Sequence, residues 1–108
     1  MLALLAGSSL RGDSGLRVTE AEAKRAAIAK PAPEYPMAAR QLKVVGKVSL
    51  EVVVADDGHV SDVRIVSGNP ILTKPAAEAL RRWRFRPFLS GGKPSGAIAE
   101  ITFEFDTQ

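Results

Sequence analysis

Leu80-Arg-Arg-Trp-Arg-Phe-Arg-Pro87 holds the single Trp of the chain and four Arg residues set among large apolar groups. With Ala76 and Ala79 ahead of it, the order Ala76, Ala79/Leu80, Trp83 is the i, i+3/4, i+7 stripe that a helix buries in one direction. Pro87 ends the pattern, because proline cannot continue a helix. Trp83 is therefore expected to anchor the core with Leu80 and Phe85. Arg81, Arg82, Arg84 and Arg86 form a solvated fringe whose stems cover apolar surface. A nucleic-acid patch is the competing reading of the same arginines.

Upstream of this stretch, Val48, Leu50, Val52 and Val54 alternate with Lys47, Ser49 and Glu51, the period of two of a strand with one buried face. Asp56-Asp57-Gly58 supplies a tight turn in which Gly58 takes positive φ. Val60 to Val66 returns as a second strand, with Val63 and Ile65 facing inward and Asp62 and Arg64 outward. The pair predicts an antiparallel hairpin. Thr73 is the expected N-cap of the helix that follows, with Pro75 in its first turn and its end near Trp83 or Arg84. After the turn Ser90-Gly-Gly-Lys-Pro94, Ala97 to Phe105 alternates again. Ile101, Phe103 and Phe105 lie on one side and Glu100, Thr102 and Glu104 on the other.

Toward the N-terminus, Pro31-Ala-Pro-Glu-Tyr-Pro36 is expected to be extended, since each Pro removes a donor and restricts its predecessor. Pro36 suits the start of a short helix to about Lys43 whose Ala38, Ala39 and Leu42 face one way. Thr19-Glu-Ala-Glu22 offers a capping box, and the Ala-rich run to Ala29 predicts an additional N-terminal helix. Arg11 to Gly15 reads as a connector. Met1 to Gly7 is apolar, too short to span a bilayer, and similar to the end of a signal or anchor segment without its charged start.

These elements divide the chain into residues 1–30, a tail or linker bearing a short helix, and residues 31–108, one domain. The expected class is α+β: a two-layer domain with a three-stranded antiparallel sheet and two helices packed on one face. The hairpin's first strand is central, which leaves Ala97 to Phe105 at an edge with unpaired backbone donors and acceptors. Core positions are Val48, Leu50, Val52, Val63, Ile65, Leu80, Trp83 and Phe85.

Charge and chemistry narrow the function. The net charge is +3, but residues 31–108 carry ten basic and nine acidic groups, so the domain itself is nearly neutral. Nucleic-acid binding needs a basic stripe that follows several phosphates, so no nucleic-acid partner is expected. With no Cys there is neither a disulfide framework nor a thiolate metal site. The single His59 adjoins the hairpin Gly, where a solvated turn residue is expected rather than a catalytic base. No nucleophile with a base, metal-spaced set or phosphate loop stands out, so neither catalysis nor a cofactor is expected. What remains is an interaction module. The edge strand either receives an extended peptide by main-chain pairing or is guarded by Glu100 and Glu104 against aggregation.

Pro33-Glu-Tyr-Pro, Ala38-Ala39-Arg40, Gly46-Lys-Val, Asp57-Gly58-His-Val, Val63-Arg-Ile-Val-Ser-Gly, Ala76-Ala, the Leu80–Pro87 stretch and Gly92-Lys-Pro occur in an order that resembles the TonB C-terminal domain. The resemblance covers roughly Pro31 to Phe105. It implies a periplasmic domain, tethered to the inner membrane in the full-length protein, that pairs its last strand with the TonB box of outer-membrane transporters for siderophore or vitamin uptake. An ExbB/ExbD-type complex would supply proton-motive-force-derived work through regions absent from this chain. By the same resemblance, Ala97, Ile98, Ala99, Glu100, Ile101, Thr102 and Phe103 form the pairing edge with Pro33, Tyr35 and Pro36 beside it, while Trp83 and Phe85 are structural. The alternative is a stand-alone interaction or self-association module, a homodimer formed through the edge strand.

Overall fold

The alternating run becomes the centre of the main sheet. In the computed structural model, which describes residues 16–106, β3 (Gly46–Val54) pairs antiparallel with β4 (Val60–Ser67) and, on its other side, with β8 (Ala97–Phe105). The ladder with β8 is unbroken, from Gly46 opposite Phe105 to Val54 opposite Ala97. Val48, Leu50, Val52 and Val54 are buried, as their period of two demands. At the hairpin turn Gly58 has φ +94°, and a Cβ there would run into the Phe85 carbonyl oxygen. The turn is thus docked on the Trp83 stretch, with the Phe85 N–H donating to the Gly58 carbonyl at 3.0 Å.

The sheet has four strands rather than the expected three. β1 (Leu16–Arg17) runs parallel along the outer side of β8, Leu16 opposite Ala97 and Arg17 opposite Ile98, so the order is β1-β8-β3-β4. The last strand is therefore not a fully open edge. The physical reason is a short apolar alternation, Leu16-Arg-Val18, just ahead of the Thr19 cap. It is too brief for a period to register, and it finds its partner at the far end of the chain. Two smaller antiparallel pairs complete the strands: β2 (Ala27–Ala29) with β5 (Arg84–Phe85), and β6 (Phe88–Ser90) with β7 (Lys93–Ser95).

The described residues hold three helices: α1 (Glu20–Ala26), α2 (Met37–Gln41) and α3 (Pro70–Arg81). The capping box of α1 forms as read, Glu22 N–H to Thr19 Oγ1 at 3.0 Å and Thr19 N–H to Glu22 Oε1 at 2.9 Å. The helix stops at Ala26, not Ala29, because Ala27 to Ala29 turns extended to pair with β5. Ala23 is fully buried, so this segment packs on the domain. α3 begins earlier than expected: Asn69 is the N-cap, its side chain accepting from Ile71 N–H at 2.9 Å, and Pro70 takes the first position. Thr73 is buried inside the helix, its hydroxyl donating to the Pro70 carbonyl, and Pro75 also lies in the helix interior. α2 is a five-residue helix in which only Ala39 is buried; Leu42 caps it from outside and is exposed. Lys43 at φ +55° then turns the chain toward β3.

Trp83 lies just past α3, its N–H returning to the Leu80 carbonyl at 3.1 Å. Its ring sits edge-on to Phe103 at 5.8 Å and tilted against Phe85 at 6.0 Å. Of the expected core, Val48, Leu50, Val52, Val63, Leu80, Trp83 and Phe85 are buried. Ile65 is not: it faces inward opposite Leu50, but it is 57% exposed. β4 is the outermost strand, and the register slips beside this pair, so Ile65 has neighbours on one side only. The expectations for Met1 to Gly7 and Arg11 to Gly15 fall outside the described residues.

The indole N–H donates to the Pro31 carbonyl at 3.1 Å. Trp83→Phe keeps most of the ring but orphans that acceptor, so it is expected to lose about 1–3 kcal/mol. Trp83→Ala is expected to lose about 3–5 kcal/mol. Urea unfolding followed by far-ultraviolet circular dichroism measures both.

Candidate functional site

The site is the outer edge of β8 with the extended segment that ends beside it. Backbone groups of alternate residues point to opposite sides of a strand. Those of even-numbered β8 residues face outward, because the Ile98 carbonyl accepts from Val18 N–H at 3.0 Å and Thr102 N–H donates to Glu20 Oε2 at 3.0 Å. Leu16 N–H completes the contact by donating to the Gly96 carbonyl at 2.9 Å. Among the described residues, no strand pairs with the outer side of β8 beyond Ile98.

At the C-terminal end of the strand, Ala32, Pro33 and Tyr35 face Phe103, Glu104, Phe105 and Asp106 across a hollow of about 250 Å³. Several interactions fix its wall. The indole of Trp83 holds Pro31. The Tyr35 hydroxyl donates to the Val44 carbonyl at 2.6 Å, and its ring stands edge-on to Phe105 at 5.5 Å. The Arg40 guanidinium lies over the Tyr35 ring, 4.9 Å from its centre, a cation–π contact that helps hold the ring. The prolines hold the segment extended without a partner strand. The hollow is thus apolar along its floor and acidic at its rim, through Glu104 and Asp106.

Of the expected site residues, Pro33, Tyr35 and Phe103 come together in this hollow. Pro36 does not; it lines a separate hollow with Pro70, Ile71 and Pro75. Ala97, Ile98, Ala99 and Ile101 are buried, and Ala97 and Ile98 are paired with β1. Glu100 is exposed and Thr102 half-buried. The sequence reading missed Leu16, Val18 and Glu20 on the edge and Ala32, Phe105 and Asp106 in the hollow. The only local signal was the brief Leu16-Arg-Val18 alternation, too short to read alone, and nothing marked Glu20. Elsewhere, His59 is exposed in its turn and bonded to Asp57. Arg84 and Arg86 donate to the carbonyls of Trp83 and Arg25 at 3.0 and 2.9 Å, so both are committed to the backbone.

A profile of the family described as Gram-negative bacterial TonB protein C-terminal matches residues 31–107. The chain belongs to the TonB C-terminal family. It is 34% identical over 92 residues to Protein TonB of Escherichia coli (strain K12), a match that takes in 82% of this chain and 37% of that protein. It is 34% identical over 77 residues to Protein tonB2 of Pseudomonas aeruginosa, covering 69% of this chain and 28% of that one. The matched segment therefore spans about a third of these relatives' length. The solution NMR structure of the Pseudomonas aeruginosa TonB CTD superposes with a TM-score of 0.64 at 27% identity, covering 74% of this chain and 83% of that one. The tonB2 protein of Vibrio anguillarum does so with a TM-score of 0.54 at 28% identity, covering 74% and 82%. The family match begins at Pro31, so β1, α1 and β2 lie ahead of the TonB C-terminal match.

The α1 cap sets a pH dependence. The Glu22 carboxyl is held below its ordinary value of 4.5, chiefly by the Thr19 backbone N–H and then by the Thr19 side chain. A depressed carboxyl contributes stability that is complete above its unfolded pKa and lost as pH falls through the lower folded value. Fraying of α1 is therefore expected only on acidification from about pH 5 downward, read from α1 amide shifts. Thr19→Ala is expected to cost about 1 kcal/mol at neutral pH and only to weaken that pH response, because the backbone N–H at position 19 remains, whereas Glu22→Gln is expected to remove it.

Proposed function

We propose that this chain is the periplasmic, transporter-binding part of a TonB-type energy transducer. It binds the TonB box of an outer-membrane transporter by β-strand addition to β8. It passes on work that an ExbB/ExbD-type complex draws from the proton-motive force, for uptake of nutrients such as siderophores or vitamins. Such a protein is tethered to the inner membrane through a portion other than this domain; no described helix is long and apolar enough to cross a membrane. The domain performs no bond chemistry in this role.

The observation that carries the reading is the outward face of β8 beyond Ile98, adjoining a hollow walled by Pro33 and Tyr35, in a member of the TonB C-terminal family. An added strand gains main-chain hydrogen bonds along the edge while its alternate side chains reach the hollow. Glu100 and Thr102 would make the main-chain pairing contacts, since Ile101 and Phe103 turn their backbone groups to β3.

A second reading, self-association, draws support from the opposite edge of the sheet. β4 is outermost there and exposes Ile65 and Val66. A homodimer would then form through β4 rather than through β8. Light scattering across a concentration series separates the readings, because only self-pairing raises the mass without peptide.

An amide chemical-shift titration with a TonB-box-like peptide tests the primary reading. Shifts centred on Glu100 to Phe105, with slowed exchange of the outward amides, are expected. Shifts centred on β4, or none at millimolar peptide, would contradict it.

A further inference from the structure

We infer that Leu16 to Glu20 is an internal occupant of the β8 edge, so that a partner strand binds in competition with it. This rests on the strand-addition reading of the site and adds its regulation and the chemistry of the segment it accepts. The segment behaves as a bound peptide. It runs parallel to β8, exchanges backbone bonds at Gly96 and Ile98, and uses the Glu20 carboxylate to cap an outward donor farther along the strand, Thr102 N–H. Leu16 and Val18 pack on the core, whereas Arg17 lies on the opposite face.

Arg17 shows what the edge selects. Its guanidinium reaches Glu51 Oε2 at 3.1 Å across β8, and Glu51 stands directly opposite Glu100 in the ladder. Two carboxylates paired across strands repel. Arg17 on one side and Arg64, 3.2 Å from Glu51 Oε1, on the other offset that repulsion. A segment that displaces Leu16 to Glu20 meets the same acidic pair. The preferred occupant is therefore an extended segment with apolar residues at alternate positions and a basic residue between them.

The hold of this segment is limited. Among the described residues the backbone hold on the edge comes from two paired residues, the Val18 bond to Ile98 and one carboxylate cap, and Glu20 also serves Lys24 at 3.1 Å. A covered site lowers apparent affinity in proportion to the fraction of time it is open. The full chain should therefore bind added strands more weakly than a chain whose edge has been cleared.

The test uses the full chain and two variants. Val18→Pro removes the N–H that bonds Ile98, and the milder Glu20→Ala frees Thr102 N–H. Trp83 fluorescence confirms that each variant is folded. The probe is a synthetic peptide of residues 16–22, with a version carrying Glu at the position of Arg17 as control. Both variants are expected to bind the peptide at least about tenfold more tightly than the unaltered chain, with shifts at Ile98, Glu100 and Thr102, and to bind the control more weakly. Equal binding by all three chains, or no binding by either folded variant, would overturn the inference. A TonB-box-like peptide is run in parallel. If it fails on the cleared edge while the 16–22 peptide binds, the transporter reading falls and the internal occupant stands. If it binds the unaltered chain and the variants equally, the internal occupant falls and the transporter reading stands.

Discussion

The hydrogen bond from the Trp83 indole to the Pro31 carbonyl ties together the three parts of the chain that make the site. Trp83 ends the run from α3, Pro31 opens the proline segment, and Phe103, packed edge-on against the indole, belongs to β8. A proline-rich segment has few donors with which to bind a sheet, so an outside donor must hold it. The indole does this from a buried position, where an unpaired carbonyl would be costly. Once Pro31 is fixed, Pro33 and Tyr35 are placed over Phe103 and Phe105, and the hollow at the end of β8 exists before any partner arrives.

The partly covered edge of β8 and the outer strand β4 carry the same kind of protection. An outward N–H invites pairing with another chain. On β8, Thr102 N–H is taken by Glu20; on β4, Val63 N–H is taken by the Asp62 side chain at 2.9 Å. The β4 guard is local, built from adjacent residues, and cannot leave without refolding the strand. The β8 guard comes from a separate segment held by a few contacts, which makes that edge the exchangeable one. If β8 takes an added strand as proposed, strand addition and edge protection, alternatives in the sequence, meet on one strand at different positions along it.

What could be read from the sequence follows the range of the interactions involved. The β3–β4 hairpin and the α1 capping box rest on neighbours within a few residues, and both formed as read. The N-cap of α3 was misread because Asn69 before Pro70 and Thr73 before a later Pro carry the same local signal; burial of Thr73 decides between them. Trp83 was legible as an anchor from its helical spacing, but its partner Pro31 was not, since nothing local links an indole to a carbonyl so far along the chain. β1 escaped notice for the same reason. Two residues hold no period, and their strand character exists only against β8. At the site, Pro33, Tyr35 and Phe103 came from the resemblance to the TonB C-terminal family, while Pro36 shows that adjacency in a motif does not guarantee a shared pocket.

Hydrogen exchange at the Trp83 indole N–H, compared with the backbone amide of Leu50 at the sheet centre, tests this account most directly. If the bond to Pro31 anchors the site, the indole proton exchanges only by global unfolding, at the same opening free energy as Leu50. Fast indole exchange while Leu50 stays protected would mean that the proline segment detaches from an intact sheet, and that the hollow beside β8 is not preformed.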